Sequence, residues 1–258
     1  MSVLLLRLAG PLQSWGAAAR FARRSTENAP TKSGVLGLLA AAAGRPRTAD
    51  LSDLAALRFG VRIDQPGSRL RDFHTAHHDD SGKAMPLSER FYLTDAIFVA
   101  GVEGDKTLLQ RLHEAVRSPR FLPYLGRRSC PPSRPIEMGP PTEDTSLEEA
   151  LHSAEWQASS WYRRQQRRTT RRTGSPDASQ TLDLLIDCPQ GEVPHLSLRD
   201  LPVSFDSSHR QYGLRGLLAE RIALPSTHST RGEHDPTAGL RALGPATDAT
   251  NGTADRQE

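Results

Sequence analysis

The hydrophobic patterns along this 258-residue chain predict an α+β fold built on a ferredoxin-like βαββαβ core. Three observations carry that expectation. A short apolar run at Val3–Leu8 reads as a buried strand ended by Gly10-Pro11. An Ala- and Leu-rich helix pattern follows it. A second strand–helix succession then repeats the order after a polar interruption.

Taken in order, Pro30-Thr31-Lys32-Ser33-Gly34 reads as a helix entrance with Thr31 or Ser33 as its cap. The helix runs to about Ala43, where Gly44 stops it. The small residues Gly34, Gly37, Ala40 and Ala41 let it lie close against a sheet. Leu51–Leu57 is a short helical piece before the strand Phe59–Ile63. Residues 65–90 are polar, charged and His-rich, with too few apolar positions for a core, and read as a protruding hairpin, a thumb or finger. Phe91–Val102 reads as one long strand. Leu108, Leu109, Leu112, Ala115 and Val116 then recur at helical spacing over Asp105–Arg117, and Pro119 stops that helix.

The second half is less regular. Ser146–Trp156 reads as a helix with Glu148 and Glu149 in its first turn, where they oppose the dipole. An arginine-rich segment occupies 158–175. Leu182–Ile186 and Val203–Phe205 read as short strands, and Tyr212–Leu224 as a further apolar-basic element. Residues 1–225 thus form one domain, and 226–258, nearly devoid of large aliphatics, read as a disordered tail.

Net charge is only +3, but its distribution is uneven. Residues 158–175 hold Arg163, Arg164, Arg167, Arg168, Arg171 and Arg172 without an acid. Residues 1–26 hold Arg7, Arg20, Arg23 and Arg24, again without one. Two concentrated positive regions on a nearly neutral body suit a polyanion. Cys130 and Cys188 are far apart, so neither a disulfide framework nor a zinc knuckle is expected, and a reducing cytoplasm fits. No apolar run reaches membrane-spanning length. No cofactor or metal is expected.

The candidate ligand-contacting residues fall in four places. Lys32 and Ser33 sit beside a helix N-terminus, which suits either a phosphate or a simple cap; the glycine that a nucleotide-binding loop requires before Lys32 is missing. Arg71, Asp72, Phe73 and His74, with His77, His78 and Asp79, crowd the finger. The His-x-x-His spacing matches no fixed zinc pattern, and a polar-loop histidine fits RNA contact better than catalysis. Tyr124, Gly126, Arg127 and Arg128 combine a π-face, close backbone approach and two guanidinium groups, which together suit single-stranded RNA. Trp15 fits either the core or a stacking platform. The Arg163–Arg172 run is one basic stripe if helical and a cationic arm if not.

L-R-L-A-G-P-L-Q-S-W-G at 6–16, P-T-K-S-G-V-L-G-L-L-A-A at 30–41, L-R-D-F-H-T at 70–75 and S-P-R-F-L-P-Y-L-G-R-R-S-C-P at 118–131 together resemble the CRISPR-associated family-five proteins. Within these, the resemblance is to the branch found in the type I-E Cascade surveillance complex. The specific motifs cover about residues 1–138. Beyond them only L-P-V-S-F at 201–205 fits in kind.

The resemblance implies an RRM/RAMP-type ferredoxin-like fold with a thumb at 65–90. It implies a non-catalytic subunit that caps the 5′ handle of mature CRISPR RNA. Its partners would be the backbone subunit CasC and the large subunit CasA, with target DNA engaged indirectly. It places Trp15, Lys32, Ser33, Arg71, His74, Tyr124, Arg127 and Arg128 nearest the handle. A sister branch is itself a metal-independent endoribonuclease, which makes precursor cleavage the runner-up.

Overall fold

A computed structural model describes residues 1–16, 23–173, 181–204 and 211–224, all within the compact unit Met1–Ser226. Arg20, Phe205, residues 174–175 of the arginine segment and the tail expected from 226 onward lie outside the described residues.

Side-chain alternation along strand β1 (Ser2–Ala9) sets the architecture. Leu4, Leu6 and Leu8 point into one core, and Val3 points into a second on the opposite face. The first core is closed by α1 (Lys32–Ala42) and α3 (Lys106–Arg117). The second is closed by α4 (Leu147–Ser153), whose Leu147, Ala150 and Leu151 are buried.

Both long helices carry the caps that their sequences announce. Thr31 is the N-cap of α1, its hydroxyl accepting from the Gly34 N–H at 3.3 Å. Past Ala43, Gly44 turns left-handed at φ +73°. Its N–H reaches the Ala41 carbonyl and that of Arg45 the Ala40 carbonyl, both at 2.9 Å, the paired bonds of a Schellman end. Asp105 caps α3 by accepting from Leu108 N–H at 2.9 Å. Ser146 and Glu149 form a reciprocal capping box on α4. That helix lies close because Gly60 and Gly101 leave room: a Cβ there would stand 2.8 Å from Leu151 and 2.6 Å from Leu147.

The remaining elements, in chain order, are β2 (Leu12–Gln13), β3 (Arg23–Arg24), α2 (Ser52–Ala55), β4 (Arg58–Gln65), β5 (Ser68–His74), β6 (Ser88–Thr94), β7 (Ile97–Gly104), β8 (Thr142–Glu143), α5 (Ser160–Thr173), β9 (Thr181–Asp187), β10 (Leu196–Ser204) and β11 (Gln211–Ala223). Seven strands form an antiparallel sheet in the order β10-β11-β9-β4-β7-β1-β8. Mixed α/β structure dominated by antiparallel sheet is therefore the architecture. Ser68–Thr94 form an antiparallel hairpin, β5 against β6, to which β2 and β3 add from the other edge; the expected segment 65–90 takes in its first arm, its tip and the start of its second arm.

Two strand boundaries in particular differ from expectation. The single strand expected at Phe91–Val102 is two strands in two different sheets. Asp95, at φ +55°, breaks it between them, and a non-glycine left-handed residue gives the sequence no punctuation there. The strand expected at Val203–Phe205 begins earlier, at Leu196.

Two clusters of buried charge tie distant segments to this frame. Arg62 and Asp64, both fully buried, pair at 2.7 Å. Arg62 also donates to the Leu151 and Ala154 carbonyls at 2.6 and 2.7 Å, while Asp64 accepts from the Gln157 N–H at 2.6 Å. Burial pushes the Asp64 carboxyl above its ordinary value, against the opposing pull of Arg62. In the second cluster Arg215 bridges Asp200 at 2.6 Å and Asp187 at 2.5 Å, and Asp187 also holds the Lys32 ammonium at 2.9 Å. Burial alone would lower the Arg215 pKa, but the two carboxylates outweigh it and hold the group above its ordinary value.

Candidate nucleic-acid interface

Three segments distant in sequence converge on one groove of about 1030 Å³: the loop just past β2 (Ser14–Gly16), α1 from Ser33 to Ala41 and the turn Pro123–Arg128. Arg24, Arg45, Arg47, Arg127 and Arg128 line it, and among the described residues no acid does. Arg45 is engaged by Asp53 at 2.5 Å. Arg24, Arg47 and Arg128 are exposed and their guanidinium groups have no ion-pair partner among the described residues. Phe121 and Leu122, 55% and 84% exposed, stand at the lip as apolar surface open to solvent. Cationic walls beside uncovered aromatic surface are what a sequence-tolerant single-strand site requires.

The turn that carries Tyr124 and Arg128 is fastened to the loop just past β2. Ser14 N–H donates to the Leu125 carbonyl at 3.1 Å, and Leu125 N–H to the Cys130 carbonyl at 2.7 Å. Gly126, at φ +85°, makes the approach possible, since a Cβ would stand 1.7 Å from the Ser14 carbonyl oxygen. Its freedom thus serves the chain's own docking, where close approach of a ligand was expected. Gly126→Ala is expected to cost about 3 kcal/mol or more from the combined clash and left-handed strain. Urea unfolding measures it, and a midpoint equal to wild type would show the turn to be free of the loop.

The expected site residues divide. Ser33, Tyr124 and Arg128 line the groove. Trp15 lies beneath it with its indole fully buried. The ring abuts Gly34 and donates to the Gln13 side chain at 3.0 Å; it packs, and cannot stack on a base. Lys32 is 4% exposed, its ammonium held by Asp187 and its N–H by the Asp200 carboxylate at 2.7 Å. An acid of the protein therefore occupies the helix N-terminus where a phosphate was one of the two readings, and Lys32 is a structural residue. Arg127 is likewise turned inward. It donates to the Phe91 and Arg24 carbonyls at 3.3 and 2.9 Å, with its guanidinium 4.8 Å from the Tyr92 ring.

Arg71 and His74 stand apart from the groove, on β5 of the hairpin. Arg71 pairs with Glu89 at 2.6 Å and lies over Phe73. His74 meets Asp72 at 2.7 Å. The nearby histidines do not converge on it: His77 bonds the Gly82 carbonyl, and His78 lies near Asp80. Among the described residues no cluster of three or more metal-ligating side chains occurs, and no helix is long and apolar enough to cross a membrane.

Sequence reasoning missed Arg24, Arg47, Phe121 and Leu122 as groove residues. Phe121-Leu122 offered a signal, an adjacent apolar pair between two prolines just past a helix end. Arg47 offered none, because only the turn after α1 brings it to the groove.

A family-wide sequence model described as CRISPR-associated protein (Cas_Cas5) matches residues 3–217. The CRISPR system Cascade subunit CasD of Escherichia coli (strain K12) is 40% identical over 159 residues, an alignment spanning 54% of this chain and 70% of that protein. A crystal structure of a Cas protein superposes with a TM-score of 0.65 at 36% identity, covering 86% of this chain and 97% of the other. A chain of a CRISPR RNA-guided surveillance complex superposes with a TM-score of 0.68 at 30% identity, covering 87% and 92%. With its motifs, fold and matched span in agreement, the chain belongs to the Cas5 family of CRISPR-associated proteins.

Proposed function

We propose that this protein is the type I-E Cascade subunit that holds the 5′ handle of CRISPR RNA, and that the groove is where the handle lies. The observation that carries the reading is the lining itself: five arginines from three segments, two uncovered apolar side chains and no described acid, around a volume suited to a few unstacked nucleotides. Arg128, Arg24 and Arg47 neutralise phosphates, Tyr124 and Phe121 offer surfaces for bases, and Ser33 supplies a hydroxyl. Trp15, Lys32, Gly126 and Arg127 hold that surface in shape. Arg71 and His74 on the hairpin extend contact beyond the groove.

The same reading takes the strand order β8-β1-β7-β4, with α1 and α3 on one face, as the ferredoxin-like core. The hairpin 65–90 is its thumb. CasC and CasA are the subunits it assembles with, target DNA being read by the guide. The role is recognition without catalysis. Full-length protein is titrated with labelled CRISPR RNA bearing or lacking its 5′ handle, and repeat RNA is incubated with it in EDTA. Tight, salt-sensitive preference for the handle with intact repeat RNA is expected. Equal affinity for both RNAs would sink the groove assignment, and defined cutting lost in His74→Ala would make the protein a nuclease.

A further inference from the structure

Helix α5 carries charge that the groove does not use, and none of its residues lines the groove. Its base is clamped. The segment before it is gripped by Arg62 and Asp64, and Ser159 bonds the Gln65 side chain at 2.8 Å. Arg163 folds back onto this base, with its guanidinium 5.2 Å from the Trp156 ring and bonds to the Trp156 and Ala158 carbonyls. Tyr162 and Gln166, half-buried, form the inner side.

The outer side is different. Arg164, Arg167 and Arg168 follow i, i+3, i+4 spacing, which gathers them within an arc of roughly 100°. All three are exposed, and among the described residues none has an ion pair or hydrogen-bond partner. The sequence holds no acid from 156 to 176, and Arg171 and Arg172 continue the repeat. Trp161, 48% exposed, stands at the start of the same face. Like charges at this spacing repel and weaken a helix, so the arrangement is one that an external polyanion relieves.

We propose that the outer face of α5 is a second nucleic-acid site, and that its occupant is double-stranded DNA. Its 14 residues make a straight rod about 21 Å long and 10–12 Å across, a fit to a major groove about 12 Å wide. Guanidinium groups spread over that arc reach phosphates on both walls. A kinked single strand would need successive stacking platforms, and this face exposes one aromatic. A protein partner would need an apolar centre, which three arginines at the middle of the face deny. The inference does not rest on the reading of the groove, since the two surfaces share no described residue.

The full chain is titrated by fluorescence anisotropy against labelled duplex DNA of arbitrary sequence, about two turns long, across a series of salt concentrations. Arg164→Ala with Arg167→Ala and Arg168→Ala is expected to weaken duplex binding at least tenfold and to lower the slope of log affinity against log salt by about 2–3. Replacing the same three by lysine retains the slope. Handle RNA binding stays at its wild-type value and the thermal melt does not fall, because these side chains have no hydrogen-bond or ion-pair partner among the described residues and their mutual repulsion is removed. Duplex binding also shields Trp161 from acrylamide, whereas Trp15 and Trp156 are buried already. The proposal is overturned if the alanine variant keeps wild-type duplex affinity and slope, or loses duplex and single strand by the same factor. It is equally overturned if that variant loses a protein partner while duplex binding persists.

Discussion

Replacing Arg24, Arg47 and Arg128 together by alanine is expected to weaken binding of 5′-handle RNA by about 50-fold near 0.15 M salt, with a slope of log affinity against log salt smaller by about 2. Both figures follow from counterion release, since each phosphate neutralised on a single strand contributes about 0.7 to that slope. The three side chains are exposed and unpaired among the described residues, so the variant melts like wild type. Arg127→Ala behaves in the opposite way. Its guanidinium fastens the turn to the Phe91 and Arg24 carbonyls, so stability falls along with affinity. Anisotropy titration paired with a thermal melt separates the two arginines. If the triple variant bound the handle with wild-type affinity and slope, the RNA would lie elsewhere.

The largest stability effect is expected at Asp200. Its fully buried carboxylate receives two bonds from Arg215, at 2.7 and 2.6 Å, and one from the Lys32 N–H at 2.7 Å. Asp200→Ala leaves Arg215 with Asp187 alone and strips the start of α1 of its acceptor. Removing one partner from a buried ion cluster costs about 3–5 kcal/mol, read as a shift in the urea midpoint. Asp200→Asn keeps an acceptor oxygen and loses less. Because the cluster is shielded from solvent, the loss is expected to persist in high salt, whereas the groove variant's defect fades as the wild-type affinity itself falls. A small, salt-sensitive loss in Asp200→Ala would mean that the cluster is open to solvent.

Local chemistry made much of the fold legible. A short apolar run gave β1, spacing gave α3, and Thr31, Asp105 and Gly44 marked helix ends, because each signal lies within a few residues of the structure it specifies. Asp95 was illegible for the converse reason: nothing local distinguishes a left-handed aspartate from an extended one, and apolar residues on both sides hide it. At the site, residue types marked which segments could bind an anion, but the division of labour within them was not legible. The helix start at Lys32 suited either a phosphate or a simple cap, and Asp187 and Asp200, more than 150 positions away, take up its ammonium and its N–H. Trp15 and Arg127 were consumed in the same manner, one by Gly34 and Gln13 and one by backbone carbonyls. A side chain's type says what it can bind, and only the fold says whether it is still free to do so.

The central sheet is sealed on both faces, by α1 and α3 above and α4 below. Its interior is thereby insulated from whatever happens at its borders. Lengthening a connection adds a closure cost that grows only with the logarithm of its length, and surface connections tolerate insertion. New attachments such as the arginine-bearing helix can be grafted, traded or erased over evolutionary time while the RNA cradle stays untouched. Variation among relatives of this chain should gather in such outlying appendages and spare the residues that bolt the Gly126 turn to the loop after the second strand.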